Sequence, residues 1–182
     1  MVDGSLSLMS FYYSLKEMGH WEDSRESNLL DGFAHFYDTY ECSDNKYIAV
    51  GSIEPQFYSE LLDKLEIDDE QFQDQHNKKI WPELKEKMAA KIKLKSRSEW
   101  VEIFSDSDAC VSPVLSMEEA KKHPHNLSRD AFTNIDGFNQ PNASPRFSIT
   151  NLEIKHNAKP IGSDQDDIYE EFNLRKEAFI KN

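Results

Sequence analysis

The chain has 182 residues, 38% of them hydrophobic, which suits one domain, or one domain with arms, around a modest core. Its 34 Asp and Glu outnumber its 21 Lys and Arg, for a net charge of −13, which argues against a nucleic-acid partner and an anionic membrane surface. No apolar run is long enough to span a membrane, and the two cysteines, Cys42 and Cys110, build no disulfide framework and suit a reducing cytoplasm.

In chain order, the first predicted element is a helix from about Leu6 to Met18, stopped by Gly19. Its aromatic and Leu/Met residues predict burial against another surface. Asp3, Lys16 and Glu17 interrupt the start, so it does not read as a signal peptide. Residues 20–28 are polar and read as a linker.

A strand is predicted from His35 to Glu41, a polar turn at Ser43-Asp44-Asn45-Lys46, and a second strand at Tyr47–Val50. Phe36 and Tyr37 should face opposite sides of their strand, one toward the core and the other free to line a pocket. Gly51-Ser52 breaks the second strand, and Pro55 suits the first turn of a helix, where its missing N–H costs nothing. Phe57, Leu61, Leu62 and Leu65 share one face of that helix. Glu54, just before Pro55, sits at the positive helix end, which favours a carboxylate. Two readings of Glu54 stay open: a helix-start residue, or a carboxylate presented to a site.

Residues 67–79 are acidic and polar and read as a surface loop or frayed helix. Trp81-Pro82 opens a second helix with Leu84, Met88 and Ile92 toward a core. Ser96-Arg97-Ser98-Glu99 is a capping box and starts a third helix with Trp100, Ile103 and Phe104. A turn at Asp106–Asp108 leads to a strand around Ala109–Val111 and Val114–Leu115, edged by Pro113. Cys110 in that strand reads as a small buried hydrophobe. Ser116-Met117-Glu118-Glu119 is a second capping box. Ile135-Asp136-Gly137-Phe138 suggests a hairpin turn. Residues 148–163 lack periodicity, and helices are expected from about Ser163 to Phe172 and from about Arg175. His123-Pro124-His125 with Cys110 or Asp108 offers too few ligands for zinc, so no metal site is expected. No Gly-x-Ser-x-Gly elbow and no Gly-rich phosphate loop occurs.

The runs Leu29-Leu30-Asp31-Gly32, Phe36-Tyr37, Ala49-Val50-Gly51 and Ile53-Glu54-Pro55-Gln56-Phe57-Tyr58 resemble the alpha-methylacyl-CoA racemases of the family III CoA-transferase superfamily. The likeness continues at Trp81-Pro82-Glu83, Trp100, Asp108–Val111, Pro113–Leu115, His123, His125-Asn126 and Pro145-Arg146-Phe147.

The resemblance implies an α+β fold: a small antiparallel sheet with packed helices, flanked by arms that in the family belong to a Rossmann-like large domain and an interlocked dimer. The expected division is residues 1–28 as helix and linker of the large domain, 29–125 as the small α+β domain, and 126–182 as a return arm with C-terminal helices. It implies the C-terminal half of an enzyme that inverts the α carbon of a 2-methylacyl-CoA thioester, with Met1 falling inside the usual protein. Coenzyme A enters as part of the acyl-CoA substrate, and no separate cofactor is expected. Leu30, Tyr37 and Ile53 match the family's acyl-pocket residues, and Glu54 matches a glutamate beside its catalytic histidine. The histidine and aspartate that exchange the proton have no counterpart here. The expected partner is a second copy of the chain or a separate N-terminal half. Alternatives are a fragment of a family III CoA-transferase and a non-catalytic interaction module. Where the family has Gly-Gly-Ala-Pro, this chain has Gly32-Phe33-Ala34-His35. A bulky Phe33 there raises the question of whether that position needs φ > 0 and whether the acyl pocket is narrowed.

Overall fold

A computed structural model describes residues 1–174. The chain packs as two units, Met1–Val114 and Leu115–Asn182; the sequence-based division instead carries the small domain to residue 125.

The first unit opens with two short helices, α1 (Val2–Leu8) and α2 (Ser10–Glu17), meeting at Met9. This differs from the single buried helix expected from Leu6 to Met18. Neither helix holds a buried residue, and Leu8, Phe11 and Tyr13 are 82%, 56% and 56% exposed. Apolar composition gives a helix something to bury but does not supply the surface that covers it.

The sheet is antiparallel with strand order β1-β2-β3: β1 is Tyr37–Glu41, β2 is Tyr47–Gly51 and β3 is Val111–Pro113. Tyr37 pairs with Gly51 and Tyr40 with Ile48 across the hairpin, and Val50 pairs with Val111 at the far edge. Tyr40, Ile48 and Val50 face the core, following the period of two that the alternation predicts. Phe36 is fully buried while Tyr37 is half-buried. Pro113 sits on the edge strand, where its missing N–H breaks no interior ladder.

Helix α3 (Pro55–Lys64) starts at Pro55 and buries Tyr58, Leu61 and Leu62. Helix α4 (Trp81–Ile92) buries Trp81, Leu84, Met88 and Ile92, as its spacing predicts. Helix α5 (Arg97–Ile103) carries the reciprocal capping box of Ser96 and Glu99 and buries Trp100. Trp100 Nε1 donates to the Ile92 carbonyl at 2.7 Å, so the indole ties α5 to the end of α4.

The segment between α3 and α4 is less superficial than its charge suggests. A 3-10 turn at Glu70–Gln73 buries Phe72, and Gln75 is also buried. Gln75 Nε2 donates to the carbonyls of Ser52 and Ile53, and Trp81 Nε1 donates to the Gln75 carbonyl at 2.7 Å. Two buried residues thus anchor an otherwise acidic stretch, because a buried amide is held by its hydrogen bonds and not by apolar pattern.

The second unit holds α6 (Met117–Lys122), with the Ser116/Glu119 capping box, then α7 (Pro124–Ser128), with His123 between them. A two-stranded sheet follows, β4 (Phe132–Ile135) antiparallel to β5 (Phe138–Pro141), turning at Asp136-Gly137 as expected. Helix α8 (Gln165–Glu171) follows Asp164. The helix expected from about Arg175 lies outside the described residues. Among the described residues no helix is long and apolar enough to cross a membrane.

Candidate functional site

The connector into β1 is fixed by a knot of hydrogen bonds. Buried Asn28 donates its side-chain amide to Asp31 Oδ2 at 2.8 Å and to the Glu22 carbonyl at 3.0 Å, and its Oδ1 accepts from the Glu22 N–H. Asp31 also accepts from the backbone N–H groups of Asn28 and Ser27. Burial pushes the Asp31 carboxyl up, but these bonds, with one from the Phe33 N–H, outweigh it and hold Asp31 below the usual carboxylate range. Asp31 is therefore an ionised structural anchor, with its lone pairs spent on holding the loop.

Gly32 follows with φ +92°, a left-handed conformation that disfavours any side chain. Its carbonyl accepts from Lys85 Nζ at 2.6 Å, and Lys85 pairs with Asp38 at 2.5 Å. A Cβ on Gly32 would lie 3.4 Å from Asp38 Oδ1. Phe33 is not among the positive-φ residues, and it packs edge-on against Trp81, ring centroids 5.4 Å apart. The left-handed conformation thus falls on Gly32, and the bulk of Phe33 is directed into the Trp81 contact.

This loop and the sheet enclose an open cleft of about 430 Å³. Leu30, Tyr37, Asp38, Gly51, Cys110 and Ser112 contribute to its wall. Tyr37 reaches the cleft because it starts β1 on the face opposite Phe36. Gly51 lies beside the Tyr37 ring, and a Cβ there would meet it only in ordinary contact at 3.8 Å; its N–H donates to the Cys110 carbonyl at 3.0 Å. Phe33 does not line this cleft.

Leu30 and Tyr37 are thus brought together, while Ile53 and Glu54 are not in the cleft wall. Ile53 is half-buried against the core, its N–H bonded to the Gly51 carbonyl and its carbonyl to Gln75. Glu54 is the exposed N-cap of α3 and makes no side-chain cap bond, so its carboxylate is not committed to the helix. It lies near Cys110: burial first, then the charges of Glu54, Asp108 and Glu60, push the Cys110 thiol above its usual range. Cys110 is exposed with φ +54°, which corrects the expectation of a buried residue. Alternation across a strand cannot describe it, because its φ takes it out of the strand and β3 begins one residue later.

A further polar group was not visible in the sequence. His35 is 0% exposed, with Nε2 2.7 Å from Tyr58 Oη, while Nδ1 has no partner. Tyr58 Oη also donates to the Phe72 carbonyl at 3.0 Å, and Tyr40 Oη donates to the His35 carbonyl. Burial, reinforced by the charge of His76, holds His35 down to about 4, so the imidazole is neutral. Ala34, His35 and Phe36 are buried in succession, a run without periodicity, so no pattern marked the histidine. Among the described residues no group of three or more His, Cys, Asp or Glu could hold a metal ion. His123 caps α7, and His125 lies within it.

The profile of the family described as CoA-transferase family III matches residues 1–165. The chain belongs to CoA-transferase family III. Within that family it is 38% identical to the alpha-methylacyl-CoA racemase of Mus musculus over 184 residues, covering 100% of this chain and 48% of the mouse protein. It is 38% identical to the human alpha-methylacyl-CoA racemase, over 97% of this chain and 47% of that one. The chain therefore spans about half the length of the curated relatives it matches. A CAIB/BAIF family protein from Brucella suis shares the fold at a TM-score of 0.58 and 17% identity, over 74% of this chain and 37% of that one. The small antiparallel sheet with packed helices is thus the α+β architecture of CoA-transferase family III, as the resemblance implied.

Proposed function

We propose that this chain is the acyl-pocket portion, C-terminal in the family, of an alpha-methylacyl-CoA racemase-like enzyme acting in the cytoplasm on 2-methylacyl-CoA thioesters. In the reaction a base takes the α proton from one face, leaving an enolate. An acid on the opposite face returns a proton to the same carbon, which inverts it without net loss or gain of atoms. Leu30 and Tyr37, with Ile53 on the connector beyond β2, would enclose the branched acyl group. Glu54 would orient the histidine that a second polypeptide segment supplies. The observation that carries this reading is the 430 Å³ cleft joining Leu30 and Tyr37 at the sheet end from which Glu54 emerges uncommitted. With Asp38 paired to Lys85, the carboxylates of Asp31 and Glu54 leave this end net negative and inhospitable to the phosphates of coenzyme A, which supports a nucleotide site on the other half. That half would be a separate N-terminal chain or part of a homodimer.

The experiment pairs this chain with a His- and Asp-bearing N-terminal half and follows exchange of the α proton of 2-methylacyl-CoA in deuterated water. Exchange is expected in the complex and not with the chain alone. Glu54→Gln should leave stability within about 0.5 kcal/mol, since its side chain makes no cap bond. It should lower turnover about ten- to a hundredfold, or about 1.4–2.7 kcal/mol of barrier. Wild-type turnover in that variant would return Glu54 to a purely structural role.

A further inference from the structure

Glu54 makes no side-chain cap bond, so its placement comes from the backbone that carries it. That backbone is constrained on both sides. Pro55 favours the extended conformation that Glu54 adopts, φ −73° and ψ 142°. The Glu54 carbonyl accepts from the Tyr58 N–H at 2.9 Å, in the first turn of α3. Before Glu54, the Ser52 N–H donates to the Phe36 carbonyl at 3.0 Å and Ser52 Oγ donates to the Ala109 carbonyl, which ties the connector to the sheet.

The carbonyls of Ser52 and Ile53 are held from elsewhere in the chain. Gln75 Nε2 donates to them at 3.1 Å and 3.0 Å, one bond for each amide hydrogen. Both partners are acceptors, so the amide is oriented with its nitrogen toward the connector. Gln75 is 7% exposed, and its own carbonyl accepts from Trp81 Nε1 at 2.7 Å. An apolar side chain could fill the same space, but it would leave two peptide carbonyls without this donor. Those carbonyls belong to the two peptide units directly ahead of Glu54.

We propose that, on the racemase reading of Glu54, Gln75 is a positioning residue: by pinning the peptide units of Ser52 and Ile53 it fixes the point from which the Glu54 carboxylate reaches the histidine of the other half. Gln75 acts only through Glu54 and does not line the Leu30–Tyr37 cleft. A misplacement of about 1 Å in a group that orients a reacting residue is enough to lower turnover up to about a hundredfold.

The first measurement is amide hydrogen exchange on the chain alone, wild type against Gln75→Met, which keeps the side-chain length and removes both donors. The N–H groups of Ser52 and Ile53 should exchange about tenfold faster, while those of Leu61 and Met88 keep their protection and show the core folded. Unchanged exchange at Ser52 and Ile53 would overturn the clamp whatever the activity of the chain. The second measurement is α-proton exchange of 2-methylacyl-CoA in the complex with the His- and Asp-bearing half. Gln75→Met should lower kcat about tenfold with KM within about twofold. Gln75→Asn, a milder change whose amide is one methylene short, should fall between. Adding Gln75→Met to Glu54→Gln should lower kcat no further, because nothing is left to position. An unchanged kcat in Gln75→Met, or a loss that adds in full to that of Glu54→Gln, would overturn the positioning role and leave the racemase reading standing. Wild-type turnover in Glu54→Gln would overturn the role of Glu54 and that of Gln75 with it.

Discussion

At the scale of single residues, His35 has the most consequence. Its ring is enclosed by Phe36, Tyr58 and Phe72, with Nδ1 unpartnered, so the folded state accommodates the neutral imidazole and opposes the charged one. The folded value of about 4 lies below the ordinary 6.5, so the unfolded chain binds the proton more readily. The stabilisation is complete above pH 6.5 and falls as pH drops toward 4, by about 3 kcal/mol over the whole window. Urea unfolding of the wild type at pH 7 and pH 4.5, beside the same pair for His35→Gln, separates this loss from that of the carboxylates. The wild type should lose about 2–3 kcal/mol more than the variant between the two pH values, and parallel losses would remove His35 as the cause. Sequence reasoning singled out Leu30, Tyr37, Ile53 and Glu54 through their resemblance to a family pattern, and the structure places Leu30 and Tyr37, but not Ile53 or Glu54, in the cleft wall. The same reasoning missed His35 and misread Cys110, because aperiodic burial and a positive φ leave no trace in residue type.

Elements were legible where the signal was local. The capping boxes at Ser96 and Ser116, the Pro-initiated α3 and α4, and the Asp136-Gly137 turn depend on residues within a few positions of each other, and the structure forms all of them. The segment between α3 and α4 was not legible in the same way. Phe72 and Gln75 are buried by groups far along the chain, Tyr58 and Ser52 among them, and charge alone marks such a stretch as surface. The cap of α5 gives a direct measure of local signal in this fold. Ser96→Ala removes the acceptor for the Glu99 N–H and should cost about 1 kcal/mol, read as a shift of the urea midpoint at unchanged slope. Ser96→Asp should restore most of it, and a midpoint unmoved by Ser96→Ala would mean the Trp100 anchor alone holds α5.

At the scale of the molecule, α1 and α2 expose Val2, Leu6, Leu8, Phe11 and Tyr13 together, more apolar surface than a solitary helix pair tolerates in water. The chain is expected to self-associate at micromolar concentration, or to become monodisperse only when an N-terminal half is supplied. Sedimentation velocity distinguishes these outcomes, and a compact monomer under those conditions would contradict both. The sheet behaves differently, and its edges explain why. β3 is three residues long and ends in Pro113, while β1 at the opposite edge carries Asp38 and Glu41, each paired with a lysine. Neither edge offers a long, uncharged row of donors and acceptors for an incoming strand. When the protein comes out of solution, then, the precipitate should be amorphous and helical in character, and should not acquire the fibrillar cross-β order that binds thioflavin.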